Sequence, residues 1–187
     1  MTAPLKPDPT GEQFAADERY FVDMSVPLTG FSPEDLYATG MVEEYQRTLI
    51  ARIGAQRAAD LYRHYRKKKQ EANAKSPVPD ELPWPTATDD PILADAARAV
   101  VKMWYVGAWY GLSPAAEAKL REAEKTKPQG VAPNEAFMVS PEAYLNGLVW
   151  KVSGGHPPGG KPPGYGSWQS PPVPIPAPAT GSYEELS

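Results

Sequence analysis

The placement of proline constrains this chain more than any other feature of its sequence. Proline has no N–H group to donate and its φ angle is fixed, so helices accept it mainly in their first turn and central strands exclude it. The chain contains 23 prolines among 187 residues. Regular structure must therefore occupy the segments between prolines, and the proline-rich segments must be irregular or extended.

Several prolines stand where a helix is expected to begin. Ser32-Pro33, Asp90-Pro91, Ser113-Pro114 and Ser140-Pro141 each place a capping side chain before a proline, and a run compatible with a helix follows. The capping oxygen accepts a hydrogen bond from a free N–H group, while the proline occupies a position that needs no donor. Long alternation of β-branched and polar residues is absent from the sequence. We therefore predict an all-α fold, a small bundle of about five to six helices.

Apolar periodicity predicts where two of these helices lie. The capping-box spacing of Thr10 and Gln13 predicts a first helix over residues 11–26, ended by Thr29-Gly30. A second periodic run forms one buried face and stops before Gly54. The members of that face are Val42, Tyr45, Leu49, Ile50 and Ile53.

Two longer helices are predicted around a connector over residues 73–89, which holds four prolines and Trp84. Before it, a helix over residues 55–72 ends in the basic run 66–69, whose cations suit a helix C-terminus. After it, a central helix runs from Pro91 to about Tyr110. The core positions expected of the helix before the connector are Ala58, Leu61, Tyr62 and Tyr65.

The two ends of the chain are predicted to be extended. Residues 1–9 hold three prolines and form a flexible N-terminal arm, and residues 10–152 form the helical domain. Residues 153–187 contain nine prolines and seven glycines, which exclude helix and sheet, and "PPVPIPAPA" favours polyproline II. Tyr165 and Trp168 are spaced through this tail, which indicates a segment that wraps around a partner.

The stretch "VVKMWYVGAWYG" at residues 100–111 concentrates aromatic side chains. An inward stripe on this helix is complete without its other apolar residues, so the last turns would be apolar on every side. Those other residues are Met103, Tyr105, Val106, Trp109 and Tyr110. Such a helix is either buried all round or covered by a partner. A core of about five short helices favours partner contact for part of this cluster, and purely internal packing is the alternative. The stripe consists of Leu93, Ala96, Ala97, Val100, Val101, Trp104 and Ala108.

Composition and motifs argue against catalysis and cofactor binding by this chain. The net charge of −4 does not favour nucleic acid, cysteine is absent, and the two histidines, His64 and His156, lack ligand spacing. The segment 155–161 matches the start of a phosphate-binding loop, but Pro162 replaces the hydroxyl residue that would hold magnesium. His64 is expected to be an exposed helix residue, and the basic run at 63–69 a charged helix end. No metal site, cofactor site or catalytic residue is predicted.

Four segments resemble the small subunit of the FAD-dependent sorbitol and fructose dehydrogenase complexes. They are "FVDMSVPLTGFSPEDLYATGMVEEYQRTL", "DDPILADAARAVVKMWYVGAWYG", "EAYLNGLVWKV" and "GYGSWQSPP", in the family's order over residues 10–172. The residues that match the family pattern are Phe21, Met24, Ser25, Leu28, Thr29, Gly30, Trp104, Tyr105, Gly107, Tyr144, Leu148, Trp150, Gly166, Trp168, Pro171 and Pro172.

The resemblance implies a non-catalytic subunit that binds, folds and stabilises a large dehydrogenase of the glucose-methanol-choline oxidoreductase type. FAD would belong to that partner, this chain would hold no cofactor, and a cytochrome c subunit can join such complexes. The residues expected to form or support the interface are Trp104, Tyr105, Trp109, Tyr110, Trp150, Tyr165 and Trp168. The alternative hypothesis is a free-standing interaction module whose polyproline tail binds other domains.

The expected location depends on the start of the sequence. The stretch "MTAPLKPDPTGEQF" has neither a basic start nor an apolar run, so a cytoplasmic complex is predicted from the sequence as written. The family often carries a twin-arginine signal, and a periplasmic location is the alternative if a leader is missing or the partner is exported. No membrane-spanning segment is expected, because the longest apolar stretch is too short.

Overall fold

The computed structural model describes residues 17–73, 90–155 and 157–158. These residues form five helices of 12 or more residues, three shorter helices and one two-stranded antiparallel ribbon, which confirms the predicted all-α fold. In chain order they are α1 (Glu18–Thr29), α2 (Pro33–Ala38), α3 (Val42–Ile53), α4 (Ala55–Asn73), α5 (Pro91–Val106), β1 (Ala108–Trp109), α6 (Pro114–Thr126), β2 (Phe137–Met138), α7 (Pro141–Leu145) and α8 (Leu148–Ser153).

The chain divides into two units, Met1–Gly155 and His156–Ser187, and all of these elements belong to the first. The N-terminal arm over residues 1–9, the connector with Trp84 and nearly all of the tail lie outside the described residues, so their predicted conformations stay predictions. In the parts of the chain that are described, no helix is both long and apolar enough to cross a membrane.

The four predicted helix starts are confirmed. Each capping side chain accepts a hydrogen bond from a backbone N–H group in the first turn, and a proline occupies that turn. The pairs are Ser32 with Asp35 at 3.1 Å, Asp90 with Ile92 at 2.9 Å, Ser113 with Ala116 at 3.3 Å, and Ser140 with Ala143 at 3.1 Å. Local capping chemistry therefore explains where α2, α5, α6 and α7 begin.

The core lies where α1, α3, α4 and α5 pack against one another. The apolar positions predicted for α3 and α4 are buried, apart from Ile50, which is only partly buried. Large aromatic side chains fill much of this core, and burying such a side chain contributes about 1.5–3 kcal/mol. The largest of the completely buried ones are Trp104, Trp109, Tyr45, Tyr62 and Phe21.

Several predicted helix boundaries need correction. The first helix ends at Thr29 rather than residue 26, because Gly30 takes the left-handed conformation with φ 76° and caps it. The same helix begins at Glu18 and does not run through residue 17, because Asp17 is extended and its carboxylate caps the helix by accepting from the Arg19 N–H group at 3.0 Å. The predicted capping box lies outside the described residues. Helix α4 continues to Asn73, so the basic run at 66–69 does not form its last turn. Lys67 and Lys68 instead approach Glu71 at 3.8 and 3.6 Å on the exposed surface of α4.

The central helix is shorter than predicted, because α5 ends at Val106 and not near Tyr110. Gly107 has φ 72°, and its N–H group donates to the Met103 carbonyl to close the last turn. The chain then enters β1, where Ala108 pairs with Met138 and Trp109 pairs with Phe137. Side-chain direction therefore changes from a helical period to strand alternation within the aromatic stretch.

Candidate partner interface

Three of the segments that carry the sequence resemblance meet at the C-terminal half of α5. The Trp104 indole Nε1 donates to Ser25 Oγ at 2.9 Å, and the Tyr105 hydroxyl donates to the Thr29 carbonyl at 2.9 Å. Gly107 lies so close to α7 that an added Cβ would come within 2.5 Å of the Ala143 carbonyl group. Residues of α1, α5 and α7 are thus held together at one place by hydrogen bonds and close backbone contact.

Trp104 belongs to the core of the chain. Its side chain is 0% exposed, its ring stacks on Phe21 at 5.9 Å, and it meets Tyr45 edge-on at 4.9 Å between ring centroids. The Ser25 hydroxyl that accepts from the indole donates in turn to the Phe21 carbonyl at 2.8 Å. The Trp104 N–H group and the Ser25 hydroxyl therefore both have partners within the chain. Because its side chain is completely buried, Trp104 can support a partner interface but cannot touch a partner directly.

Trp109 is also 0% exposed, which corrects its predicted place on an outer face of a longer helix, and Met103, predicted off the inward stripe, is likewise 0% exposed. Strand pairing explains the difference: Trp109 and Phe137 are opposite each other on the ribbon, and both pack against the core. The indole Nε1 of Trp109 is buried and has no hydrogen-bond partner among the described residues. Direct contact between this indole and a partner is therefore excluded in this conformation.

Tyr110 and Met138 form the exposed side of the ribbon, here called the ribbon face. Tyr110 follows β1 directly and Met138 lies in β2 opposite Ala108, and their side chains are 56% and 48% exposed, although Ala108 itself is buried. The Lys102 ammonium lies 5.4 Å from the centre of the Tyr110 ring, close enough for a weak cation–π contact. Tyr110 thus occupies the position expected of an interface residue.

Tyr105 and Trp150 are partly buried and keep one side accessible. The Tyr105 ring meets Phe31 edge-on at 6.2 Å, and Trp150 meets Tyr144 edge-on at 5.5 Å. The Trp150 Nε1 donates to the Tyr144 carbonyl at 2.8 Å. Since the polar atoms of both side chains are bonded within the chain, a partner covering their rings would gain apolar contact without stranding a donor.

An ion pair joins α2 to α8 near Trp150. Lys151 binds the Asp35 carboxylate and lies 5.5 Å from the centre of the Phe31 ring. The Lys151 ammonium, followed by the Ser32 hydroxyl, lowers the pKa of Asp35 below its usual value. The pair links α2 to α8, although its exposure keeps its contribution to stability small.

Sequence reasoning missed three exposed apolar side chains. Met138 lies on the ribbon face, while Tyr37 in α2 and Val152 in α8 are 46% and 63% exposed. With Trp150 and the Asp35–Lys151 pair, Tyr37 and Val152 define what is here called the α2–α8 surface. The resemblance drew attention to Trp150 but not to its neighbour in α8, and Tyr37 and Met138 carry no sequence signal that separates them from core residues.

The remaining predicted interface residues, Tyr165 and Trp168, lie outside the described residues. So does His156, together with most of the loop-like segment at 155–161. Of the seven predicted interface residues, therefore, two are buried, two are partly accessible, one is exposed and two have no described position.

The described residues contain no candidate metal centre, and His64 is less exposed than predicted. No group of three or more histidine, aspartate or glutamate side chains suited to a metal occurs within them. His64 is partly buried rather than exposed as predicted, and its Nε2 is buried with no hydrogen-bond partner in the described part of the chain. Its ring meets Tyr65 edge-on at 5.8 Å, so packing on its own helix accounts for its position.

Comparison of the chain with protein-family models, with curated proteins and with solved structures finds no match.

Proposed function

We propose that this chain is a non-catalytic small subunit that binds and stabilises a large FAD-dependent alcohol or sugar dehydrogenase. In this proposal the flavoprotein supplies the FAD and the catalytic groups. This chain supplies a helical body with apolar contact surfaces. A cytochrome c subunit is a further candidate member of the complex.

The exposure of large apolar side chains beside the segments of the resemblance is the observation that carries the proposal. Tyr110 and Met138 on the ribbon face, and Tyr37 and Val152 on the α2–α8 surface, each keep about half or more of their area in water. Tyr110 and Val152 lie in or beside segments that resemble the dehydrogenase small subunits. Large apolar side chains at the centre of an interface typically supply most of its binding energy.

The distribution of satisfied polar atoms supports the same proposal. Interfaces lose affinity when a buried donor or acceptor is left without a partner. At Tyr105 and Trp150 the hydroxyl and the indole N–H are already bonded to backbone carbonyls. A flavoprotein surface could therefore cover these rings with no polar penalty from either side chain.

Co-expression tests the proposal directly. A candidate FAD-dependent alcohol or sugar dehydrogenase from the same organism should be produced with and without this chain, and the soluble yield, flavin absorbance and dye-linked alcohol oxidation measured in each case. We expect the two chains to co-purify and the flavin content of the dehydrogenase to fall severalfold when this chain is omitted. An equally soluble, flavin-loaded and active dehydrogenase in its absence would contradict the proposal.

A truncation separates this function from the alternative of a free-standing module that acts through its tail. Removing residues 156–187 should weaken binding to the flavoprotein but leave a folded body that still binds it. If instead the tail alone accounts for all detectable binding, and to domains unrelated to the flavoprotein, the interaction-module hypothesis is correct.

A further inference from the structure

A small crevice lies between α1 and α4. Asp23, Met24 and Pro27 line it from α1, and Tyr65 and Lys69 are among the residues that line it from α4. Its cavity volume is about 20 Å³. A polar cavity of about 10–15 Å³ is large enough for one water molecule, whereas a sugar, nucleotide or phosphate needs far more space.

The Tyr65 hydroxyl is a hydrogen-bond donor without a partner in this region. The residue is 4% exposed, and its Oη has no hydrogen-bond partner among the described residues. Burial raises the pKa of Tyr65 above its usual value, which favours the protonated hydroxyl. A buried hydroxyl without an acceptor destabilises a fold, and native structures rarely leave one unsatisfied.

Pro27 frees the backbone carbonyl of Asp23, a residue that lines the crevice. Pro27 lies inside α1, where a residue would ordinarily donate its N–H group to the carbonyl four positions earlier, which is that of Asp23. Proline has no N–H group, so this carbonyl lacks its helical donor. A water molecule is one of the groups that can insert into an interrupted ladder of helical hydrogen bonds.

We propose that the crevice is a binding site for one structural water, which accepts from Tyr65 Oη and donates to the Asp23 carbonyl. The site has the size of one water, one unpartnered donor from α4 and one proline-freed acceptor from α1. The nearby Asp23 carboxylate and Lys69 ammonium, both exposed, provide further polar partners at the mouth. The water would join α4 to α1. Since Ser25 and Thr29 of α1 accept hydrogen bonds from side chains of α5, a bridge that fixes α1 would also support α5.

A double-mutant cycle on the full chain tests this site. Tyr65→Phe removes only the hydroxyl, and Pro27→Ala restores the helical donor to the Asp23 carbonyl. With the water in place, Tyr65→Phe should lower the Tm by about 2–4 °C, the shift expected for one hydrogen bond in a chain of this size. Tyr110→Phe, which removes an exposed hydroxyl, is the matched control and should leave the Tm unchanged.

Two results decide the outcome: the direction of the Tm change caused by Tyr65→Phe, and whether that change depends on Pro27→Ala. If the Tyr65 hydroxyl has no bound water, Tyr65→Phe should raise the Tm or leave it unchanged, which overturns the proposal. If the water bridges to the Asp23 carbonyl, the loss caused by Tyr65→Phe should shrink in the Pro27→Ala background. An equal loss in both backgrounds overturns the bridge, and a crystal structure of the unmodified chain with a dry crevice overturns the site whatever the variants show.

Discussion

Trp104 and Tyr110 are close in sequence, yet Trp104 is completely buried and Tyr110 is more than half exposed. Between them, Gly107 ends α5 and the chain changes from helical to strand periodicity. The core cluster at Trp104 uses its aromatic surface internally, whereas the ribbon face leaves Tyr110 and Met138 in water. Only some of the aromatic side chains in this stretch are therefore exposed enough for a partner to contact.

The largest expected effect is a loss of folding stability when the buried Trp104 is removed. Trp104→Ala removes the stacking on Phe21 and the contact with Tyr45, and should lower the free energy of unfolding by about 3–5 kcal/mol. Urea unfolding followed by circular dichroism measures this. Trp150→Ala is the matched control, and it should cost less because that ring is only partly buried. Equal losses for the two variants would remove the distinction between core and surface tryptophan.

The turn that separates the two regions should be nearly as sensitive. Gly107→Ala places a Cβ at a positive φ and within 2.5 Å of the Ala143 carbonyl group, so we expect a loss of about 2–5 kcal/mol. Gly130→Ala is the control, since Gly130 also has a positive φ, 70°, but nothing within 4 Å of the added Cβ. That variant should lose only about 1–2 kcal/mol. Similar losses at both sites would show that the contact with α7 is unimportant.

On the exposed side, the expected effect falls on binding and not on folding. The double variant Tyr110→Ser with Met138→Ser should raise the Kd for the flavoprotein about 10- to 100-fold, while the free energy of unfolding changes by less than about 1 kcal/mol. Calorimetric titration measures the affinity. Lys127→Ser changes an exposed residue outside both named surfaces and should leave the Kd unchanged. Unaltered affinity in the double variant would exclude the ribbon face from the interface.

The smallest effect is a pH dependence at the α2–α8 surface. Lys151 and Ser32 lower the pKa of Asp35 in the folded state, so this interaction stabilises the fold above the unfolded pKa of the carboxyl and is lost as the pH falls through the folded pKa. Lys151→Met should therefore flatten part of the decline in Tm on acidification toward pH 3, as followed by scanning calorimetry. An unchanged acid profile would mean that the exposed pair contributes nothing measurable.

Local signals in the sequence predict the helix starts and much of the core, because capping and periodicity act over a few residues. Ser32, Ser113 and Ser140 cap helices as expected, and Tyr45 and Tyr62 are buried as expected. Pairings between distant residues were not predictable in this way. The partner of β1 lies in Phe137–Met138, beyond α6, and nothing in the aromatic stretch itself indicates that pairing.

The same limit applies to the candidate interface. Tyr110 is exposed and Trp109 is buried because of a strand pairing that helical periodicity cannot show. Val152 and Tyr37 are exposed because α2 and α8 are short helices at the surface, joined through Lys151 and Asp35. These are tertiary contacts, so neither helical periodicity nor the resemblance distinguishes exposed residues from buried ones in these segments.

Hydrogen exchange of this chain, alone and bound to the flavoprotein, tests most directly whether the exposed apolar surfaces form the interface. We predict that binding protects the backbone amides of residues 108–110, 137–139 and 148–153, while the amides around Trp104 are already protected in the free chain and change little. Unchanged exchange at the ribbon face and the α2–α8 surface, with new protection confined to other parts of the chain, would contradict the assignment.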